Sequence, residues 1–111
     1  MAESSRHRQL KNKDARGTGK TETVLASGRR LDALSPTKIA TEVERSGSTG
    51  IKKSVSTLRE AVNSGMARKA RLRVPNSNLD EAYKEMRRQR LGGELTNLGG
   101  SVKVHVPKRR R

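Results

Sequence analysis

The sequence contains no cysteine, no tryptophan and no phenylalanine, and only two histidines, in 111 residues. Without cysteine, neither a disulfide framework nor a thiolate zinc site can form. Two histidines are too few for a histidine-rich metal site. No apolar run approaches the ~20 residues that span a bilayer, and the N-terminus has no apolar stretch resembling a signal peptide. We therefore expect a soluble protein whose site of action is the reducing cytoplasm.

Aromatic residues are nearly absent, since Tyr83 is the only one. Any core must therefore be small and aliphatic, because hydrophobic residues make up only 30% of the chain. A basic helix lying on a membrane would need Trp, Phe or Leu on its apolar face, so we expect no membrane partner. Platforms for unpaired bases depend on aromatic stacking, so contacts with a nucleic acid should be mainly to its phosphate backbone.

Acidic residues are also scarce, and the resulting charge is the strongest signal in the composition. The chain has 26 Lys and Arg against 11 Asp and Glu, which gives a net charge of +15 and a pI near 11.4. A merely soluble surface needs much less net charge and mixes both signs. A large basic excess favours a polyanion through phosphate contacts and counterion release. We expect a nucleic acid as partner, with DNA favoured over RNA.

The distribution of apolar residues predicts one domain between two basic ends. Residues 1–20 are polar and rich in Lys and Arg, which is typical of a flexible arm. Residues 21–107 carry the apolar periodicity of a single α/β domain. Residues 108–111 form a basic tail that would add affinity without sequence choice.

Two segments have the periodicity of helices. Each segment has one apolar face. The first predicted helix ends at Gly65, and the second ends at Gly92 and Gly93. The apolar residues of the first are Ile51, Val55, Leu58 and Val62, and those of the second are Leu79, Ala82, Tyr83 and Met86.

The remaining apolar segments alternate with a period of two and predict strands. The segments on either side of Gly28 are consistent with two strands or one bent hairpin and are counted as one bent element. Further strands begin near residues 38, 69 and 102, and the stretch between the second helix and the last strand, with Gly99 and Gly100, is expected to be a loop. The order is β-β-α-β-α-β. This order predicts an α/β fold with a small mixed central sheet and two covering helices.

Three of the few carboxylates fall where they could meet. Glu42 and Glu44 are two apart on a predicted strand and so share a face, and Asp32 lies at the end of the preceding segment. Clustered carboxylates would repel a polyanion unless they hold a cation, and carboxylate oxygens are natural ligands of Mg²⁺ or Mn²⁺. Alternatively, Glu42 and Glu44 lie exposed on a solvated strand face beside Lys and Arg.

The stretch GRRLDAL–SPTK–IATEVERSG, followed by the IKKSVSTLREAV helix and the RLRVP strand, resembles the PD-(D/E)XK nuclease superfamily, which has the restriction-endonuclease-like fold. Asp32 matches the family's first Asp and Glu42 its acidic residue. Glu44 stands where Lys is usual, although some members have an acidic residue there. The resemblance implies a metal-dependent nuclease with Asp32 and Glu42 as ligands of Mg²⁺ or Mn²⁺, and with Asp32, Glu42 and Glu44 as catalytic residues.

The order of elements is also similar to that of nuclease toxin domains at the C-termini of bacterial secreted effectors. That likeness implies delivery as part of a secreted effector and an acidic immunity protein as a partner. The residues expected to hold the phosphate backbone are basic residues near the predicted site and on the strand after the first helix, namely Lys38, Arg45, Lys52, Lys53, Arg71 and Arg73.

Two other functions remain open from the residues alone. Residues 34–65 could form a helix-turn-helix with residues 68–75 as a wing, in a non-enzymatic DNA-binding module that uses Lys52, Lys53 and Arg59. The alternation of β-branched residues from Ile39 to Val43 favours a strand there instead. A metal-independent ribonuclease could use His105 as a general acid or base.

Overall fold

The computed structural model describes residues 20–45 and 48–108 of the chain. The predicted arm at residues 1–20 and the predicted tail at residues 108–111 lie outside these ranges, except for Lys20 and Lys108. The principal-axis extents are 35 × 30 × 25 Å.

Among the described residues, six strands form one mixed sheet in which every strand lies beside its neighbour in the chain. The first three strands are antiparallel to one another, the third, fourth and fifth are parallel, and the last is antiparallel to the fifth. The strands are β1 (Lys20–Val24), β2 (Arg30–Leu34), β3 (Ile39–Val43), β4 (Lys69–Val74), β5 (Gly93–Asn97) and β6 (Lys103–Val106).

Helix α1 (Ser48–Asn63) connects β3 to β4, and helix α2 (Leu79–Arg88) connects β4 to β5 after a 3-10 turn at Asn76–Asn78. Such crossovers are what parallel neighbours require. The helices contact each other and pack in one cluster with the sheet. Within the described residues, neither helix has the length and apolar character needed to cross a membrane.

The core lies between the helices and one face of the sheet. On β4 the buried residues Ala70, Leu72 and Val74 alternate with Lys69, Arg71 and Arg73 on the other face. The predicted apolar stripe of α1 is confirmed, because Ile51, Val55 and Leu58 are at most 1% exposed and Val62 packs against the cluster. Alternation on the strands and helical spacing on α1 and α2 therefore meet in one aliphatic core, and the predicted α/β class is confirmed.

The segments around Gly28 are two strands joined by a turn, which is one of the two alternatives that the sequence left open. Two details differ from the sequence prediction. The segment after the second helix, predicted to be a loop, contains β5. Gly93 and Glu94 supply little apolar pattern, so β5 is recognisable mainly by its pairing with β4. Helix α2 ends at Arg88, before Gly92, because Arg90 adopts the left-handed conformation (φ 61°) that glycine usually provides.

The core makes a direct prediction about stability. Leu58→Ala removes a fully buried side chain and should lower the free energy of unfolding by about 2–5 kcal/mol. Val24→Ala is the matched control, because Val24 is 58% exposed, and it should cost less than about 0.5 kcal/mol. Urea unfolding followed by circular dichroism measures both, since the chain has no tryptophan. Equal losses would contradict the placement of α1.

Candidate functional site

Strands β2 and β3 separate where the predicted carboxylates lie. Their pairing covers Leu34 with Ala40 and Ala33 with Thr41, and the next pair in this register would be Asp32 with Glu42. Instead, the two side chains bond to the backbone of the opposite strand. The Asp32 N–H donates to Glu42 Oε2 (2.7 Å), and the Val43 N–H donates to Asp32 Oδ2 (2.9 Å). Two carboxyl groups are thus held between strands whose pairing has stopped.

A cleft of about 600 Å³ opens at this point between the β1–β2 turn, the end of β3 and the first half of α1. All three predicted catalytic carboxylates line it, together with three basic residues and small polar side chains. The lining comprises Ser27, Gly28, Arg29, Arg30, Asp32, Glu42, Val43, Glu44, Lys53, Ser54 and Thr57. Acidic and basic groups therefore face the same space, which suits a ligand that is anionic and is bound with a cation.

Glu42 is only 7% exposed, on the sheet face that the helices cover. It pairs with Leu72 of β4 and is two residues from buried Ala40. Burial raises the pKa of Glu42 well above its usual range, and the nearby Asp32 carboxylate adds to this, outweighing the stabilising bond from the Asp32 N–H. A hydrogen bond between the two carboxyl groups, and the more weakly acting charge of Glu44, raise the pKa of Glu42 further.

The alternative that Glu42 is an exposed residue on a solvated strand face is therefore wrong. A buried carboxyl beside another carboxyl stays protonated or is compensated by a cation. Ala40 and Leu72 show that this face accepts aliphatic side chains, so the role of the Glu42 carboxyl within the fold is to accept the Asp32 N–H.

Glu44 lies just beyond β3, where its N–H donates to the carbonyl of Arg73 (2.9 Å). Its carboxylate turns towards α1 and accepts a hydrogen bond from Ser54 Oγ (3.3 Å). Glycine at position 50 makes this placement possible, since a Cβ there would overlap the Glu44 carboxylate. The first turn of a helix favours a negative charge, so α1 holds Glu44 at the side of the cleft while Asp32 and Glu42 meet at its floor.

The convergence of three carboxylates on one ion was expected from the sequence, and the structure brings two of them together. In residues 20–45 and 48–108, no group of three or more acidic or histidine side chains is placed to hold a metal ion. The pair of Asp32 and Glu42 fits Mg²⁺ or Mn²⁺ as a partial ligand set, because Mg²⁺ is commonly bound by one or two carboxylates plus waters and substrate phosphates. A cation bound between the two carboxyl groups would relieve the repulsion between them.

The turn between β1 and β2 is fastened to α1 by Ser27. The N–H and the hydroxyl of Ser27 both donate to the Glu60 carboxylate (3.0 and 2.5 Å). These bonds lower the pKa of Glu60. The turn closes with Gly28 at φ 90° and a Leu25 N–H to Arg29 carbonyl bond of 2.8 Å. The fastening fixes the position of the neighbouring arginines at the edge of the cleft.

Of the six basic residues predicted to hold phosphate, Lys53 is the one that lines the cleft. Arg45 is exposed and directly follows Glu44. Lys52 faces α2 instead, where its carbonyl accepts a bond from Gln89 Nε2 (3.1 Å) and its charge helps to lower the pKa of Glu85.

The other three predicted basic residues lie away from the cleft. Lys38 is exposed at the opposite end of β3 from Glu42. Arg71 forms a half-buried ion pair with Glu94 (2.8 Å) across the β4–β5 pairing. Arg73 is 6% exposed and lies on the sheet face away from the helices. Of these three, Arg73 is nearest to the cleft, because its backbone pairs with Val43 while its side chain lies on the other face of the sheet.

Arg29 and Arg30 were missed by the sequence reasoning, although both line the cleft. A signal was present, because Arg30 and Asp32 are two apart on one strand and such residues share a face. Ser54 and Thr57 carried no comparable signal, since small polar residues are ordinary on a helix surface. Comparisons with protein-family models, with curated proteins and with solved structures found no match for this chain.

The environment of Glu42 predicts an unusual effect on stability. Glu42→Gln keeps an oxygen acceptor for the Asp32 N–H but removes the buried charge, so it should stabilise the protein by about 0.5–2 kcal/mol at mildly alkaline pH. The raised pKa of Glu42 means that wild-type stability is lost as pH rises from about 4.3, the ordinary glutamate value, through the pKa of the folded protein. Thermal unfolding across pH measures the gain, which should vanish in acid.

Glu60→Gln is the control with the opposite sign. The pKa of Glu60 is lowered by its bonds from Ser27, so its contribution is present above the ordinary glutamate pKa and lost as pH falls. The variant should therefore be no more stable than wild type at any pH. If Glu42→Gln were the less stable protein at alkaline pH, the assignment of a destabilising buried carboxyl would be wrong.

Proposed function

We propose that this chain is a metal-dependent nuclease that hydrolyses phosphodiester bonds in the cleft between β2, β3 and α1. The observation that carries the proposal is the contact between Asp32 and Glu42 at the floor of a cleft edged by Arg29, Arg30 and Lys53. A strongly basic protein that keeps a buried Glu42 beside a partly buried Asp32 at its cleft has a use for the pair beyond accepting two backbone N–H groups. Holding a cation against a phosphate is the use that the charges support.

Each group of the cleft has a separate task in this proposal. Asp32 and Glu42 hold the cation, and Arg29, Arg30 and Lys53 bind the phosphates on either side of the bond to be cut. A bound Mg²⁺ or Mn²⁺ supplies a Lewis acid that lowers the pKa of water and stabilises charge on the phosphate. Glu44, kept beside the pair by Ser54, accepts the proton of the attacking water.

The PD-(D/E)XK superfamily, resembled by the sequence around Asp32 and Glu42, supports the same proposal. The β2–β3 pairing, the helix that follows and the return to parallel β4 have the order which that resemblance implies. Within the proposal, Glu44 replaces the usual Lys, DNA is the favoured substrate, and the domain acts as a toxin with an acidic immunity protein as its partner.

The helix-turn-helix alternative depends on a helix over residues that form β3. Among the described residues, one helix, α1, lies between β3 and β4. Lys52, expected to face DNA in that arrangement, lies instead beside α2. The helix-turn-helix geometry is therefore wrong for residues 34–65. Binding to DNA without cleavage is a separate outcome, which the cleavage assay distinguishes from hydrolysis.

The proposal is tested by cleavage of plasmid DNA and of tRNA with Mg²⁺, Mn²⁺ or EDTA. Cleavage is expected with metal and not with EDTA. Asp32→Asn and Glu42→Gln should each lower the cleavage rate by at least about 10–100-fold while leaving the fold intact. Loss of a group that merely supports a metal ligand already has an effect of that size.

Asp80→Asn is the matched control for these variants. Asp80 is an exposed carboxylate on α2 that pairs with Lys84 (3.2 Å), and such pairs contribute under about 1 kcal/mol. Its rate should equal that of wild type. Metal-dependent cleavage that survives both Asp32→Asn and Glu42→Gln would refute the site.

One observation favours a second candidate function, metal-independent RNA cleavage. His105 is exposed on β6 and lines a separate groove with Arg59 and Arg90. A histidine can transfer protons to and from ribose and leaving oxygens while neighbouring cations stabilise charge on the phosphate. This chemistry requires RNA, because the attacking group is the 2′-hydroxyl.

The second candidate predicts tRNA cleavage in EDTA that falls at least about 100-fold in His105→Gln, the lower bound of what general acid–base catalysis contributes. A substrate carrying 2′-deoxyribose at the cut position is the matched control, and it should resist cleavage. Cleavage in EDTA that is indifferent to His105→Gln would eliminate this candidate.

A further inference from the structure

A second, smaller cavity lies at the opposite end of the sheet from the carboxylate cleft. It is a groove of about 360 Å³ where the C-terminal half of α1 meets the start of β4, the loop after α2 and the end of β6. In the parallel pairing of β3 with β4, Lys69 lies opposite Ile39, three residues before Glu42. The groove and the cleft therefore share no lining residue.

The groove is basic on all sides. Its lining contains Arg59, Arg68, Lys69, Arg90, His105 and Lys108, and among the described residues that form it none is acidic. The floor is aliphatic, with Val62, Leu91 and Val106. A basic rim over an aliphatic floor suits a ligand that is part anion and part flat apolar surface. At about 360 Å³ the groove is at the small end of the range of ligand pockets, 300–1,000 Å³.

Two glycines beside the groove allow a close approach of backbone segments. A Cβ at Gly93 would overlap the carbonyl of Ala70, and a Cβ at Gly92 would lie 2.8 Å from the backbone nitrogen of Lys108. Both positions bring two segments of backbone closer than a side chain allows. The close approach at Gly92 places Lys108 beside the groove that it lines.

Backbone strain at this end of the molecule is the second, independent observation. Among the described residues, Lys38 (φ 64°) and Arg90 (φ 61°) are the two non-glycine residues with positive φ. Both are basic. Arg90 lines the groove, and the carbonyl of Lys38 accepts bonds from the N–H groups of Arg68 (2.7 Å) and Lys69 (3.3 Å), which also line it.

Arg90 stands where a helix ending of this type normally has glycine. The Leu91 N–H donates to the Met86 carbonyl (2.9 Å) and the Arg90 N–H to that of Arg87 (3.1 Å), which is the Schellman pattern. Glycine would make the same bonds without steric strain. Strain of this kind clusters at ligand-binding and other functional sites, and among the described residues that line the groove with Arg90 none is acidic.

We infer that this groove is a second nucleic-acid site, which binds one nucleotide unit of a single strand with its phosphate among Arg90, Arg68 and Lys69 and its sugar and base on the aliphatic floor. The inference rests on the proposed nucleic-acid partner but not on hydrolysis. A nucleic-acid strand that binds both in this groove and in the carboxylate cleft contacts the protein at both ends of the sheet. The groove then contributes binding affinity, and the cleft hydrolyses the phosphodiester bond.

The test is binding of a fluorescent single-stranded oligonucleotide to the full chain in EDTA, followed by anisotropy over a range of salt. Arg90→Gly should weaken binding about tenfold, the loss expected for one charge-assisted hydrogen bond. The slope of log affinity against log salt should fall by about one phosphate contact. The same variant should raise the Tm by about 4 °C, because it removes a left-handed arginine.

Lys84→Ala is the charge-matched control, since Lys84 is exposed on α2 and lies outside the groove. It should leave both affinity and salt slope near wild type. If Arg90→Gly and Lys84→Ala gave equal slopes, the groove would be only part of a diffuse basic surface and the inference would be overturned. The gain in Tm shows in the same sample that Arg90→Gly is folded.

Competition separates a nucleotide site from a simple anion site. Thymidine 5′-monophosphate should displace the oligonucleotide at lower concentration than inorganic phosphate, because only the nucleotide covers the aliphatic floor. Equal competition would overturn the nucleotide assignment. Asp32→Asn changes the cleft alone. A protein that binds the oligonucleotide through Arg90 but does not cleave nucleic acid would refute the proposed nuclease without contradicting this second site.

Discussion

The reciprocal bonding of Asp32 and Glu42 across β2 and β3 is the interaction on which the candidate site depends. Each carboxyl group takes the place of a backbone carbonyl as acceptor for the other strand, so the strands part without leaving N–H groups unsatisfied. The same exchange brings two acidic groups into contact under a helix and raises the pKa of Glu42. The same two side chains, Asp32 and Glu42, therefore both end the β2–β3 pairing and place two acidic groups together.

The remainder of the molecule supports this opening from both sides. Ser27 fastens the β1–β2 turn to Glu60 of α1, and Gly50 lets Glu44 lie against the same helix. Further along, Gln89 links the end of α2 to α1 by accepting from Ser56 Oγ (2.9 Å) and donating to the Lys52 carbonyl. With a core of aliphatic side chains and no cysteine, such polar links between elements hold α1 in register over the sheet.

The periodicity of apolar residues predicted those parts of the fold that depend on it. The stripes of α1 and α2, the alternation on β3 and β4 and the α/β class all follow from where apolar residues recur. The proximity of Asp32 and Glu42 was expected because Asp32 lies at the end of the segment that precedes the strand of Glu42. β5 was missed because Gly93–Asn97 becomes a strand through pairing with β4, a contact no local pattern encodes. The position of Arg71 was equally hidden, since its partner Glu94 lies on that unpredicted strand. Burial of Glu42 required knowing which sheet face α1 covers.

The order of the strands determines which part of the chain each cavity needs. Each strand of the sheet pairs with its neighbour in the chain, so none of the described strands is inserted between two earlier ones. The residues that line the carboxylate cleft lie between Ser27 and Thr57. The groove around Arg90 needs β6, the last strand among the described residues, so loss of β6 would remove lining residues from the groove and none from the cleft.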